Sequence, residues 1–163
     1  MLQLMVLRHA KSSWSDGSLS DHERPLNERG RDAAAAMGRF MAEEDLLPDR
    51  ILSSDSTRTR ETVELWVEAA AWDGAIDFLP DLYHADVPTL LQVASLLPPT
   101  CRRPMLVAHN PGIAELVSLS SGTMVETPTG TLAVIDVELE RWTEIARSRL
   151  RTVLTKRPRE LTD

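Results

Sequence analysis

The stretch LQLMVLRHAKSSW, residues 2–14, reads as a buried strand that ends in reactive side chains. Six of the first seven residues of the chain are apolar, with Gln3 the single interruption. Such a run lacks the in-out alternation of a strand with one wet face, so it belongs to a strand covered on both sides, as in α/β proteins. Arg8 and His9 follow the run directly, and a short polar segment follows them.

The same pattern returns in PMLVAHN (104–110), a continuous apolar run that also ends in a histidine, His109. DRILSS (49–54) is a short buried strand bounded by Pro48, and AIDFLP (75–80) reads as a short strand or extended connection. Helix-period segments separate them. Asn27 can cap a helix to about Glu43 with Ala33, Met37, Phe40 and Met41 inward; Ser56 or Asp55 opens another to about Ala71, with Val63, Trp66, Val67 and Ala70 on one stripe. Asp86, with Pro88 just inside, starts a third that ends at Pro98, and a short fourth follows Pro111 and Gly112. TLAVIDVEL (131–139) is a late strand, RTVLT (151–155) a candidate last one, ERWTEIARSRL is open between helix and loop, and the tail KRPRELTD is polar and expected to be mobile. The order predicts an α/β fold, a three-layer α/β/α sandwich with a mostly parallel central sheet.

At 163 residues, the chain is expected to form a single domain, residues 1–163, without structural metal or disulfides. Its 42% hydrophobic and 26% charged residues suit a soluble protein. No apolar run approaches the roughly 20 residues of a membrane-spanning helix, and the start of the chain lacks a basic leader before its apolar run. We expect a cytoplasmic monomer without a membrane partner. Cys101 is the single cysteine and reads as structural. A formal net charge of -7 argues against nucleic acid, whose phosphate backbone is held by cationic surface. Phosphate chemistry must then rest on a few placed arginines.

Ligands of α/β sheets bind outside the carboxyl ends of parallel strands. Arg8 and His9 leave the first strand there, Arg58 opens the helix after the second, and His109 leaves the PMLVA strand. Helix N-termini add amide donors and positive potential at the same edge. Two imidazoles and two guanidiniums together want an anion, and phosphate is the obvious one. Phosphoryl transfer needs a nucleophile, neutralisation of equatorial oxygens and a proton for the leaving group. His9, flanked by Arg8, suits the nucleophile, because nearby cations favour its neutral form. An arginine about 4 Å from a phosphate charge gains roughly 4 kcal/mol at an effective dielectric near 20, before desolvation. His109, beside a dianion, would instead be cationic, and a neutral and a charged histidine together predict a bell-shaped pH dependence of rate.

At these residues the chain resembles the histidine phosphatase superfamily, the phosphoglycerate-mutase-like group, whose hallmark is an Arg-His-Gly word after the first strand. LRHAKSS carries it with Ala10 in place of glycine. ERPLNERGRDAA is similar to the family's R-P-L-T-x-x-G segment, which implies Arg24 as a further phosphate ligand. SSDSTRTRET is similar to S-S-P-x-x-R-A-x-Q-T, with Asp55 where proline is usual, and LVAHNPGIAEL to the second-histidine motif. Small size and the RHAKS and HNPG wording look most like the SixA-like phosphohistidine phosphatases. The resemblance implies metal-independent hydrolysis without a cofactor, through a phosphohistidine intermediate on His9. Arg8, Arg24, Arg58 and His109 would hold the phosphoryl oxygens. It also implies an acid after the third strand, where Asp81 stands, with Asp86 further on.

Other readings stay open. His22 and His84 are loop residues near a possible entrance; Lys11 and Ser12, with Ser13, can reach phosphate or simply make turns. Arg60, two residues past Arg58, points elsewhere, Trp66 is core, and Trp14 is a lid or a loop anchor. A metal-dependent phosphoesterase built on His9, His109, His84 and Asp86 is a second enzyme reading, though no compact ligand motif supports it. A pocket that merely binds a phosphorylated ligand or partner is a third. A phosphohistidine protein and a small phosphorylated metabolite both fit as substrate.

Overall fold

The computed structural model describes residues 1–161. The first strand, β1 (Leu2–Arg8), lies inside a six-stranded sheet of order β3-β2-β4-β1-β5-β6, with β2 Arg50–Ser54, β3 Ala75–Leu79, β4 Pro104–Ala108, β5 Leu132–Val137 and β6 Leu150–Lys156. The β1–β4, β4–β2 and β2–β3 pairs are parallel. The β1–β5 and β5–β6 pairs are antiparallel, so the sheet is mixed.

Continuous apolar runs in β1 and β4 are explained by two helical layers. Met5 and Leu7 pack under α1 (Glu28–Glu43) and α2 (Thr57–Ala70) with Met37, Met41, Val63 and Trp66. Leu4 and Val6 face the other way, toward Leu90 and Ala94 of α3 (Val87–Ser95) and Ile113 and Leu116 of α4 (Gly112–Ser121). This is the three-layer sandwich expected. The layers exist because between Gln3 and Arg8 neither face of β1 has polar side chains to offer water.

Asn27 caps α1, its side chain accepting from Gly30 N at 2.8 Å, and Asp86 caps α3 by accepting from Thr89 N at 3.0 Å. Ser56 sits at the N-cap of α2, but its hydroxyl pairs with Thr59 Oγ1 at 2.7 Å instead of capping. The inward stripe of α1 is shifted from the one expected: Ala34 and Gly38 are buried with Met37 and Met41, while Ala33 and Phe40 are half-buried. The reason is α2, whose backbone comes so close that a Cβ on Gly38 would stand 2.5 Å from Trp66 O. The segment 142–147 is a short 3-10 turn whose Trp142 is buried and donates to Cys101 O at 2.6 Å.

The tail departs from expectation. Lys156 is the end of β6, residues 158–160 form a 3-10 turn, and Leu161 packs against the α1–α2 side of the core. Its polar composition concealed this, since one leucine and a paired strand suffice to dock it. Thr162 and Asp163 lie outside the described residues.

Two glycines have steric reasons. A Cβ at Gly30 or Gly112 would stand 2.0 Å from the carbonyl oxygen of Lys11 or Ala85 respectively. Gly112 therefore lets α4 start directly against the loop before α3. Gly112→Ala is expected to lower stability by about 2 kcal/mol through overpacking, measured as a shift in the urea midpoint at unchanged slope. An unshifted midpoint would show that the loop yields freely.

Candidate active site

Register places the two histidines. Arg8 of β1 stands opposite Ala108 of β4, and His9 N donates to Ala108 O at 3.1 Å. The next residue of each strand is a histidine, and the two rings leave the sheet side by side with centroids 5.1 Å apart. Arg58, in the first turn of α2, lies between them and is 3% exposed. Its Nε donates to His9 Nε2 and its Nη2 to His109 Nδ1, both at 3.4 Å.

The carbonyl of Ala10 fixes the tautomer of His9. It lies 2.7 Å from Nδ1, and a carbonyl only accepts, so Nδ1 carries the proton and Nε2 keeps its lone pair. By the same logic, Nε2 of His109 donates to Ser54 Oγ at 2.7 Å, because its Nδ1 accepts from Arg58. The free electron pair of His9 thus faces the guanidinium of Arg58.

These groups line a cavity of about 300 Å³ together with Arg8, Lys11, Ser12, Trp14, Asp21, Arg24 and His84. Arg8 is half-buried; its Nη1 donates to Thr127 O at 3.0 Å and its Nε is buried without a partner among the described residues. Arg24 is buried, donates from Nη1 to Ser12 Oγ at 2.8 Å, and lies over the exposed Trp14 ring at 3.5 Å. The structure therefore brings Arg8, His9, Arg24, Arg58 and His109 together. It does not bring Asp81, which is exposed in the 3-10 turn 80–82 and is not among the lining residues. Asp86 turns its carboxylate onto the start of α3.

The acid at this site is Asp21, which sequence reasoning passed over. Its Oδ1 accepts from Arg24 Nε and Nη2 at 3.3 and 3.1 Å. Its Oδ2 accepts from Arg58 Nη2 at 3.0 Å, from Tyr83 Oη at 2.5 Å and from His84 Nε2 at 3.1 Å. His84 reaches it from a left-handed backbone, φ 54°, a conformation that costs a non-glycine residue about 1 kcal/mol or more and concentrates at functional sites. One clue to Asp21 was in the chain: it stands three residues before Arg24, a spacing that lets a short turn fold it back.

Charge follows from burial. Burial pushes His9 down to about 3, with Arg58, Arg8 and Arg24 acting the same way against the Ala10 carbonyl. Burial, then His9, Arg58 and His84, push His109 to about 2, and Asp21 alone acts upward. Both imidazoles are thus neutral near pH 7 in the ligand-free protein; the cationic His109 was expected only beside a phosphate dianion. A phosphate dianion among these side chains would act with Asp21 and restore that charge. Asp21 itself is held far below the usual carboxylate range: burial opposes this but is outweighed by the hydrogen bonds of Tyr83 and Arg58 and the charge of Arg58.

The profile of the histidine phosphatase superfamily (branch 1) matches residues 4–87, about half of the chain. The chain belongs to the histidine phosphatase superfamily. A chloroplastic protein of Arabidopsis thaliana is 35% identical over 153 residues, covering 87% of this chain and 69% of its own length. Among solved structures, a candidate phosphohistidine phosphatase SixA from Agrobacterium tumefaciens superposes with a TM-score of 0.81 at 28% identity, over 96% of this chain and 98% of its own. The SixA counterpart from Nakamurella multipartitia gives 0.82 at 26%, over 96% of each chain.

Two departures of this histidine phosphatase from the family wording, Ala10 and Asp55, have local explanations. Ala10 has no left-handed backbone to require glycine, and it is fully buried against Leu26 and Ala34. Asp55 accepts from His22 Nε2 at 2.9 Å, which ties the turn bearing Asp21 to the start of α2.

The imidazoles make stability depend on pH. Folding lowers both from the ordinary value of about 6.5, so the unfolded chain binds more protons wherever it titrates first. Their contribution is complete above about pH 6.5 and is lost as pH falls toward 3. Each imidazole adds a slope of up to about 1.4 kcal/mol per pH unit in that window. Urea unfolding at pH 4–7 checks this: a His9→Gln, His109→Gln double variant is expected to have a shallower dependence than the natural chain. Identical slopes would place the protons elsewhere.

Proposed function

We propose that this histidine phosphatase removes a phosphoryl group from protein phosphohistidine in two steps, through a phosphohistidine formed on His9. The observation that carries the reading is the single lone pair of His9, at Nε2, facing the Arg58 guanidinium inside a cavity that also holds Arg8 and Arg24. In the first step Nε2 attacks phosphorus, the bond to the leaving nitrogen breaks, and that nitrogen departs with its proton. In the second, water attacks phosphorus, the bond to Nε2 breaks, and inorganic phosphate leaves. Arg8, Arg24 and Arg58 neutralise the equatorial oxygens, and His109 donates to one of them once the phosphoryl charge has raised its proton affinity.

Asp81 lies outside the cavity lining, and Asp21 is held ionised, so neither is well placed to give up a proton. This favours a leaving group that arrives protonated, as a phosphoramidate nitrogen does, over a phosphate ester. Two grooves border the cavity on either side of segment 127–129, one sharing Lys11 and Thr129 with it and the other Arg8 and Asn110. A site flanked by grooves in this way suits a polypeptide carrier better than a small metabolite. Three guanidiniums supply the positive charge that a divalent metal would otherwise bring, and we propose that none is needed.

The test is intact-mass detection of a phosphorylated enzyme after acid-free quenching, with a histidine-phosphorylated protein as donor and chelator present. The natural chain is expected to gain one phosphoryl group and release phosphate, and His9→Ala to do neither. Turnover that leaves no adduct and stops in chelator would replace the histidine mechanism with a metal one. With His9 already neutral, kcat/KM for an N-phosphoryl donor is expected to carry no acidic limb near pH 6.5. A limb there, absent from the profile of free substrate, would show that the nucleophile titrates at its ordinary value.

A further inference from the structure

A groove of about 440 Å³ lies beside the active-site mouth, between the first turns of α1 and the 3-10 turn 158–160. It shares Lys11 and Thr129 with the catalytic cavity, so the two adjoin. Lys11, Arg29, Arg157 and Arg159 line it, against Asp32 as the sole acid. That local excess of positive charge lies on a chain whose formal net charge is -7. Among the described residues, none of the four cations has a side-chain carboxylate within ion-pair distance. Arg157 donates from Nη2 to the carbonyl of Glu126 at 3.3 Å, its Nε is buried without a partner, and Glu160 turns its carboxylate onto the amide of Arg157.

The walls of the groove are close-packed, and among the described residues Arg157 is tied to them while the other three cations are not. Gly130, at φ 79°, approaches Pro158 so closely that a Cβ would stand 2.7 Å from the proline Cγ, which locks the tail turn to the segment before β5. Lys11, Arg29 and Arg159 are exposed. A compact phosphate is held by convergent donors in a set geometry, such as a bidentate arginine. Long exposed cations spread along a groove instead attract a series of carboxylates, steering their approach and selecting among partners.

We propose that this groove binds an acidic stretch of the phosphorylated polypeptide, beside the phosphorylated side chain, and so selects which protein substrates reach His9. The inference rests on the phosphohistidine reading above and adds a substrate class to it. The overall negative charge of the chain disfavours acidic partners over the rest of its surface, while the groove, with Asp32 its single acid, offers them a cationic strip beside the active-site arginines.

The test uses two synthetic histidine peptides of equal length, phosphorylated on histidine with phosphoramidate and flanked on both sides by glutamates or by lysines. The natural chain is expected to favour the acidic peptide by about tenfold in kcat/KM at low salt, mostly through KM, with the preference collapsing at 0.5 M salt as screening shortens to roughly 4 Å. Arg29→Glu with Arg159→Glu, both outside the catalytic cavity, is expected to abolish or reverse the preference. It should leave turnover of phosphoramidate itself within twofold, with an unchanged thermal midpoint as the folding control. Equal turnover of both peptides by the natural chain, or a preference that survives the double substitution, overturns the groove proposal while leaving phosphohistidine hydrolysis intact. Hydrolysis of p-nitrophenyl phosphate but of neither peptide overturns the phosphohistidine reading and this proposal with it. A raised KM for a small bisphosphate, with the acidic peptide unaffected, would make the groove a second-phosphate site and overturn the proposal.

Discussion

The parallel hydrogen bonding of β1 against β4, with Arg8 across from Ala108, is the constraint on which the site depends. A slip of one residue would move one histidine by about 3.3 Å along the sheet and turn it to the opposite face. The 5.1 Å spacing of the rings would be lost, and Arg58 could no longer reach both. Register is held by burial on two sides at once. Met5 and Leu7 must stay under α1 and α2 while Leu4 and Val6 stay against α3 and α4. The core is therefore the alignment device of the site, and its cost in apolar surface is what makes the catalytic geometry rigid.

Electrostatically the site is an inversion of the molecule around it. An acidic chain gathers Arg8, Arg24 and Arg58 around two neutral imidazoles and balances them with one carboxylate, that of Asp21. Removing charge from the imidazoles by burial keeps a lone pair available and spares the site further mutual repulsion. Asp21 in turn holds two guanidiniums and is itself held by Tyr83 and His84 from the far side of the mouth. The arginines are thereby pre-oriented, which is where electrostatic catalysis gains most.

Much of this was legible from local pattern. The buried strands β1 and β4 announce themselves because a strand covered on both faces cannot alternate. The positions of His9, Arg58 and His109 follow once those strands are parallel. Arg24 was reached only through the resemblance of its segment to a known family. Asp21 was illegible for a physical reason: it is one acid in a loop rich in serine and aspartate, and only the fold-back of the turn 21–23 and the left-handed backbone of His84 bring its partners to it. Asp81 was attractive because it follows the third strand, yet the 3-10 turn exposes it, and the neighbouring Tyr83 and His84 face the site instead. The tail misled through composition, since polar residues in an edge strand and a docked turn look like residues in water.

The reversal of direction at β5 has an architectural effect of its own. Because β5 runs antiparallel to β1, it begins at the edge where β1 ends, and Gly130 N donates to both Arg8 O and His9 O at 3.1 and 2.9 Å. The segment arriving from α4 is thus drawn into the rim of the reactive centre, with Thr127 and Thr129 among the residues facing it. His9 and His109 leave the ends of parallel strands, and the segment between the two grooves precedes an antiparallel one. Apart from Lys11, which follows His9 and lines both cavity and groove, the imidazoles and the lining of the proposed groove are carried on separate stretches of backbone. A lengthened or shortened 122–129 segment could reshape what is admitted while the strand ends that hold the imidazoles stay where they are.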